Sequence, residues 1–182
     1  VFSAVLAVAA AAAAAKVDVK FTNGASRSLP EAVIRNGTLV LAQENLAIPL
    51  ADVQNADFSF EALSQSGCED LFDSGDYETA FRKLNEVLES VKDGWMLPGN
   101  IDFYLEYKIR VCFWTGRYDE MRKTASVLQA KKSPFISLFS LYEILVLIEE
   151  GQVQNAAGLF AQIRDPEKIS VPMSEYIKAR LA

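Results

Sequence analysis

The 182-residue chain has no histidine, two cysteines, and 18 basic side chains against 24 acidic ones. Without histidine there is no imidazole base for a Ser-His-Asp or Cys-His nucleophile, and no His-ligated zinc. Two cysteines alone cannot complete a thiolate metal site. A net charge of −6 opposes nucleic-acid binding, which needs a basic face. A Gly-rich phosphate loop, a G-x-S-x-G elbow and a calcium loop are all missing. Two carboxylate pairs remain, Glu69 with Asp73 and Glu149 with Glu150. Nothing near them in sequence supplies a substrate cleft, and carboxylates at such spacing belong to a solvated face. The composition points away from an enzyme, and no cofactor or metal is expected.

What the chain has in plenty is apolar residues, 51% of the total, and part of that sits at one end. Residues 1–15 are apolar except for Ser3, and they close on an unbroken alanine run, Ala9 to Ala15. An apolar stretch followed by small residues reads as the remnant of a bacterial export signal, with cleavage near Ala15. It is shorter than the roughly 20 residues of a transmembrane helix, so no stable membrane span is expected. The expected location is periplasmic or secreted.

Residues 16–60 carry strand patterns. Val17 to Phe21 alternates with period two. Ala32 to Arg35, then Asn36-Gly37, then Thr38 to Leu41 reads as a hairpin, because Asn-Gly accepts the positive φ angles of a type I′ turn. Leu46 to Leu50 contains Pro49 and suits a sheet edge. Val53 to Phe60 completes the set, with Phe58 and Phe60 on one face. These residues are expected to form a small β meander or barrel.

Residues 61–182 switch to helical periodicity. Turn signals recur at Gly75-Asp76-Tyr77, Gly116-Arg117-Tyr118 and Gly151-Gln152-Val153. Their spacings are 116 − 75 = 41 and 151 − 116 = 35, the period of stacked helix pairs. On these turns, with Ala80 and Ala156 as small residues that admit a close helix approach, the region resembles the tetratricopeptide-repeat family. It departs from that pattern at Met121, where a small residue is usual, at Val153, where an aromatic is usual, and in lacking the Trp near the repeat start. Asp93 to Asn100 reads as an inserted loop that lengthens the first interval. The fold class expected is α+β: a small β module over 16–60, then an α-α superhelix of about three TPR-like helix pairs over 61–182.

The resemblance implies that the first helix of each pair lines a concave, peptide-binding surface. Aligned on the turn glycines, that surface takes Gln65, Glu69, Phe72 and Asp73 from the first pair, Phe103, Glu106, Arg110, Phe113 and Trp114 from the second, and Leu138, Leu141, Leu145 and Ile148 from the third, with Phe72, Phe103, Glu106, Arg110 and Trp114 as the partner-binding residues it implies. Arg110 would hold a partner carboxylate. The function this implies is a non-catalytic protein–protein interaction scaffold of the cell envelope, which binds a partner protein or peptide and could form a homo-oligomer. The alternative is a small-ligand or glycan-binding accessory protein that uses the β module and its junction with the helices. Trp95-Met96-Leu97-Pro98 reads either as an exposed patch or as a loop folded back on the helices. Cys68 and Cys112 read as two buried thiols or as a bridge.

Overall fold

A computed structural model describes residues 15–41 and 46–182. The expected export signal, apart from Ala15, lies outside the described residues. The fold is α+β, five antiparallel strands followed by seven helices. The strands are β1 (Ala15–Phe21), β2 (Ser26–Arg35), β3 (Thr38–Leu41), β4 (Leu46–Pro49) and β5 (Val53–Ser59), in the order β4-β3-β2-β1-β5. Ala15 itself is the buried first residue of β1, opposite Ala32.

Each strand buries alternate residues, such as Val17 and Val19 on β1, as a one-sided sheet requires. Asn36 and Gly37 have φ of 51° and 70°, the expected type I′ turn. Pro30 cannot donate to a ladder, and the chain accommodates it with an extra residue. Ala15 pairs with Ala32 but Val17 with Leu29, so β2 bulges at Pro30-Glu31.

The sheet is strongly curled. β4 and β5 stand at opposite ends, four strand spacings apart, or about 19 Å if the sheet were flat. They are joined only by the 3-10 turn Leu50–Asp52, and three residues in that form advance about 6 Å. The meander is therefore bent towards a barrel, although no ladder joins β4 to β5 among the described residues.

The helices form three hairpins and one further helix. They are α1 (Gln65–Asp73) with α2 (Tyr77–Ser90), α3 (Ile101–Trp114) with α4 (Tyr118–Lys131), α5 (Ile136–Glu149) with α6 (Val153–Phe160), and α7 (Val171–Leu181). The first helix of each hairpin ends in the same way. Gly75, Gly116 and Gly151 have φ of 75°, 69° and 75°, and each lies in a paired hydrogen-bond cap. For Gly75, its own N–H donates to Phe72 O and the next N–H donates to Leu71 O, at 3.0 and 3.1 Å. This is the Schellman closure, which needs a left-handed residue. α5 is apolar nearly all round because α3, α4, α6 and α7 all pack against it.

Sheet and helices share one hydrophobic cluster, and the segment between α2 and α3 clasps them together. Residues 93–100 neither cap the helix stack alone nor hang free. Asp93 accepts from the Asn36 N–H at 2.8 Å. Pro98 O accepts from the Ala56 N–H at 2.9 Å. Asn100 uses its whole amide on Phe58, accepting from its N–H at 2.7 Å and donating to its carbonyl at 2.8 Å. β5 is the terminal strand of the sheet, so these bonds satisfy an edge that would otherwise be open. Gly99 is required there, because a Cβ would collide with the Ala56 carbonyl and its φ is 143°. Within the same loop, Leu97 is buried, Trp95 is half-buried and donates to Leu88 O at 2.9 Å, and Met96 stays exposed.

Asn100→Ala leaves the Phe58 N–H and carbonyl without partners, and it should lower stability by about 2–4 kcal/mol in urea unfolding. Asn100→Asp keeps an acceptor but loses the donor, so it should fall between the two. Equal stability of wild type and Asn100→Ala would show that the clasp does not hold the halves together.

Candidate functional site

Helix α3 carries Phe103, Tyr107, Arg110 and Trp114 at spacings of four, three and four, which places them on one face. Around them the rings form a chain. Tyr107 lies 4.6 Å from Phe103 and 6.1 Å from Phe72 at the end of α1. Phe72 lies 5.3 Å from Tyr77. Tyr77 stacks on Trp114 at 5.7 Å with the planes 11° apart. The Arg110 guanidinium sits 4.9 Å from the Tyr107 ring and 5.9 Å from Phe72, within cation–π range. Phe72, Phe103, Arg110 and Trp114, expected from the sequence to share a surface, are thus brought together. Tyr107 joins this ring chain as a buried member, 7% exposed, and Tyr77 as a half-buried one that packs α2 onto α1.

Two expectations need correction. Glu106 is 2% exposed and cannot touch a partner directly. Its carboxylate is engaged by the Arg110 Nε, one helical turn on. Burial raises the Glu106 carboxyl above its usual range, and the opposing pull of Arg110 does not cancel this. Arg110 is therefore already committed, and a partner carboxylate would have to compete with Glu106 for it. In the third hairpin, Leu141, Leu145 and Ile148 are buried and Leu138 is half-buried. Leu141 and Ile148 are core beneath the neighbouring helices, with α7 supplying part of the cover, whereas Leu145 lines a groove next to them.

Beyond Trp114 the surface opens into a groove of about 780 Å³ between the end of α3, α5 and the start of α7. Phe113, Trp114, Tyr118, Tyr142, Met173 and Tyr176 line much of it. Phe113 lies 5.0 Å from Tyr142 and 5.4 Å from Trp114. Helix α7 is held in place by its N-cap, where Ser170 accepts from the Met173 N–H at 3.5 Å, and by buried Ser174 and Ile177. Trp114 at 55% and Tyr176 at 49% are among the most exposed large side chains of the described residues. Sequence reasoning missed this groove because α7 closes it from far along the chain.

The strand module does not cover this surface. The sheet meets α3 at its N-terminal end, through Asn100 and through Phe60, whose ring is 5.1 Å from Tyr104. Trp114 is ten residues further, about 15 Å along the axis. A smaller hollow at the junction, lined by Ser59, Ser64, Gln65 and Asn100 among others, was the alternative place for a ligand. Its main polar groups serve the fold, since Asn100 is bound to Phe58 and Ser64 caps α1 by accepting from the Gly67 N–H at 3.0 Å.

Among the described residues, no group of three or more His, Cys, Asp or Glu side chains is placed to hold a metal ion. No helix among them is long and apolar enough to cross a membrane. Cys68 and Cys112 are both free and buried. Burial pushes each thiol up to about 12, with Glu69 adding to the shift at Cys68 and Glu120 at Cys112. Burial likewise pushes Tyr104 and Tyr142 up to about 12. In comparisons with known proteins, no family model, no curated protein and no solved structure matches the chain.

The raised thiols stabilise the fold fully below the pH at which unfolded thiols ionise, and that contribution is lost as pH rises towards the folded value. Stability should therefore be level near neutrality and fall between about pH 9 and 12. Urea unfolding at a series of pH values tests this, and a Cys68→Ala, Cys112→Ala double variant should fall less steeply. The native thiols should also resist a thiol reagent at pH 8. Prompt labelling of the native protein would contradict it.

Proposed function

We propose that this chain is a non-catalytic interaction scaffold that captures a partner protein or peptide on the aromatic face running from Phe103 through Trp114 to the groove at Tyr176. The observation that carries the reading is Trp114. It stacks on Tyr77 on one side yet is 55% exposed, and it stands where the ring chain meets the groove. Large contiguous apolar surface on a protein marks a contact site, and Trp and Tyr are the residues that most often dominate binding energy. The groove is lined by Phe113, Trp114, Tyr118, Tyr142 and Tyr176, the mostly apolar and aromatic wall that binding concavities have.

The proposal includes a TPR-like architecture for the helical half, supported by three hairpins closed at Gly75, Gly116 and Gly151 with one hydrogen-bond pattern. It also includes a periplasmic or secreted setting, supported only by the leading apolar run. A second copy of the chain is the competing occupant, favoured by exposed Phe135, Val153 and Val171 on or beside the last helices.

Crosslinking capture from a native envelope extract tests the reading. Trp114→Ala combined with Tyr176→Ala should lower recovery of a specific partner by tenfold or more, about what the loss of two aromatic anchors produces, with the far-UV circular dichroism spectrum unchanged and stability lowered only by the lost Tyr77 and Phe113 ring contacts, about 1–3 kcal/mol. Undiminished capture by this variant would remove the aromatic face as the binding surface. Light scattering of the free protein separates the second-copy reading, which requires a dimer mass that the same variant reduces to a monomer.

A further inference from the structure

We infer that the groove between α3, α5 and α7 takes a cationic side chain, with arginine the best fit, presented by a basic segment of the partner. This rests on the interaction reading above and names the chemistry of its anchor. The groove combines aromatic faces with negative potential. Trp114, Tyr142 and Tyr176 supply rings, and Glu149 is the only charged residue among the described ones that line it. Aromatic faces beside a carboxylate attract a desolvated organic cation, and a guanidinium is flat and weakly hydrated enough to lie against such rings.

The backbone adds to the same field. Thr115 and Gly116 at the end of α3, and Glu149 at the end of α5, all line the groove. Two helix C-termini therefore converge on it, and each carries partial negative charge. α5 has no basic residue in its last turn, so Glu149 sits where the helix dipole disfavours a carboxylate. The start of α7, where Pro172 and Met173 line the groove, opposes this in part with the partial positive charge of a helix N-terminus, so two negative ends face one positive end and Glu149 decides the sign.

The chain's own Arg180 stands at the rim of this site. Its guanidinium donates to the Tyr176 hydroxyl at 2.7 Å, lies 5.7 Å from that ring and is 3.6 Å from Glu149. Both partners of that ion pair are about half exposed, so the contact is weak and displaceable. Arg180 acts as an internal competitor for Glu149. The net charge of −6 favours a basic partner over an acidic one at longer range.

The test uses two short Gly-Ser peptides, one carrying three arginines and one carrying three citrullines, which keep the shape without the charge. The readout is the indole N–H NMR signals of the two tryptophans, Trp95 and Trp114. The arginine peptide should move the Trp114 signal and leave the Trp95 signal in place. Glu149→Gln should weaken its binding about tenfold, and Arg180→Gln should strengthen it about two- to fivefold by freeing Glu149. Both substitutions lie at exposed positions and should leave the fold intact. Equal binding of the two peptides overturns the cation assignment but leaves a peptide-binding groove standing. Failure of both peptides to move the Trp114 signal overturns the assignment. If the alanine variant above also leaves capture unchanged, the groove reading fails with it. A Trp114 signal that shifts with protein concentration alone shows a second copy in the groove and also overturns the assignment.

Discussion

The whole arrangement depends on one side-chain amide. Asn100 occupies both hydrogen-bonding groups of Phe58 on the outer edge of β5, and in doing so it fixes where α3 begins. A five-stranded module of this size buries little surface alone and leaves an edge strand ready to pair with another chain. The segment Asp93 to Asn100 resolves both problems together. It covers the edge with hydrogen bonds to Pro98 O and Asn100, and it brings Gly99 so close to the Ala56 carbonyl that a side chain would not fit, while Gly94 packs against the tip of Ile34. An insertion that looks like a departure from a regular helix spacing is thus the joint between the two halves. Lys131 at the end of α4 bonds the Leu97 carbonyl at 2.7 Å and pairs with Asp102, which fastens the second hairpin to the same joint.

Once α3 is anchored at Asn100, its residues divide by face. Ile101, Leu105, Ile109 and Cys112 are buried in the shared core. The opposite stripe, from Phe103 to Trp114, meets α1 and the turn into α2 through ring contacts. The charges on this part of the molecule are mostly spent internally. Arg110 belongs to Glu106. Arg117 is held by Glu78 through two bonds of 3.0 and 2.9 Å and lies 4.2 Å from the Phe81 ring. Arg122 ties α4 to α5 through Glu143 and Glu150. Along the stripe Tyr107 is buried, Phe103 and Arg110 are half-buried, and Trp114 carries the exposed aromatic surface, with the cations held by their own carboxylates.

Much of the fold was legible because its signals are local. Asn36-Gly37 dictates its turn through backbone φ alone, and the three turn glycines dictate helix ends in the same way. Pro49 correctly marks an edge strand. The first half of β2 was not legible, since Ser26 to Pro30 is polar and contains a proline, and only pairing with β1 makes it a strand. The curl of the sheet follows from the short link Leu50–Asp52 once the strand order is known, and that order is a tertiary fact. At the candidate site, alignment on the turn glycines put Phe72, Phe103, Arg110 and Trp114 on one surface, and in the fold they lie close together. It failed at Glu106, because a helical face drawn from spacing does not say how deep each residue lies. It failed at the groove because Tyr176 and Met173 arrive on α7, about sixty residues after Trp114.

Glu106 and Glu149 sharpen the difference between a structural carboxylate and an available one. Glu106 lies inside the molecule, and its charge is tolerated only because Arg110 is one turn away. Removing Arg110 would leave Glu106 without its counter-ion in a place that water reaches poorly, whereas Arg110 without Glu106 could still turn to solvent. Glu149 has the reverse situation. It is half exposed, sits at the unfavourable end of its helix, and has a guanidinium partner at 3.6 Å that solvent can replace at little cost. A residue needed only for stability gains nothing from that placement. A residue whose carboxylate is to be offered beside aromatic rings needs a partner loose enough to leave, and Arg180 at the exposed end of α7 meets that requirement.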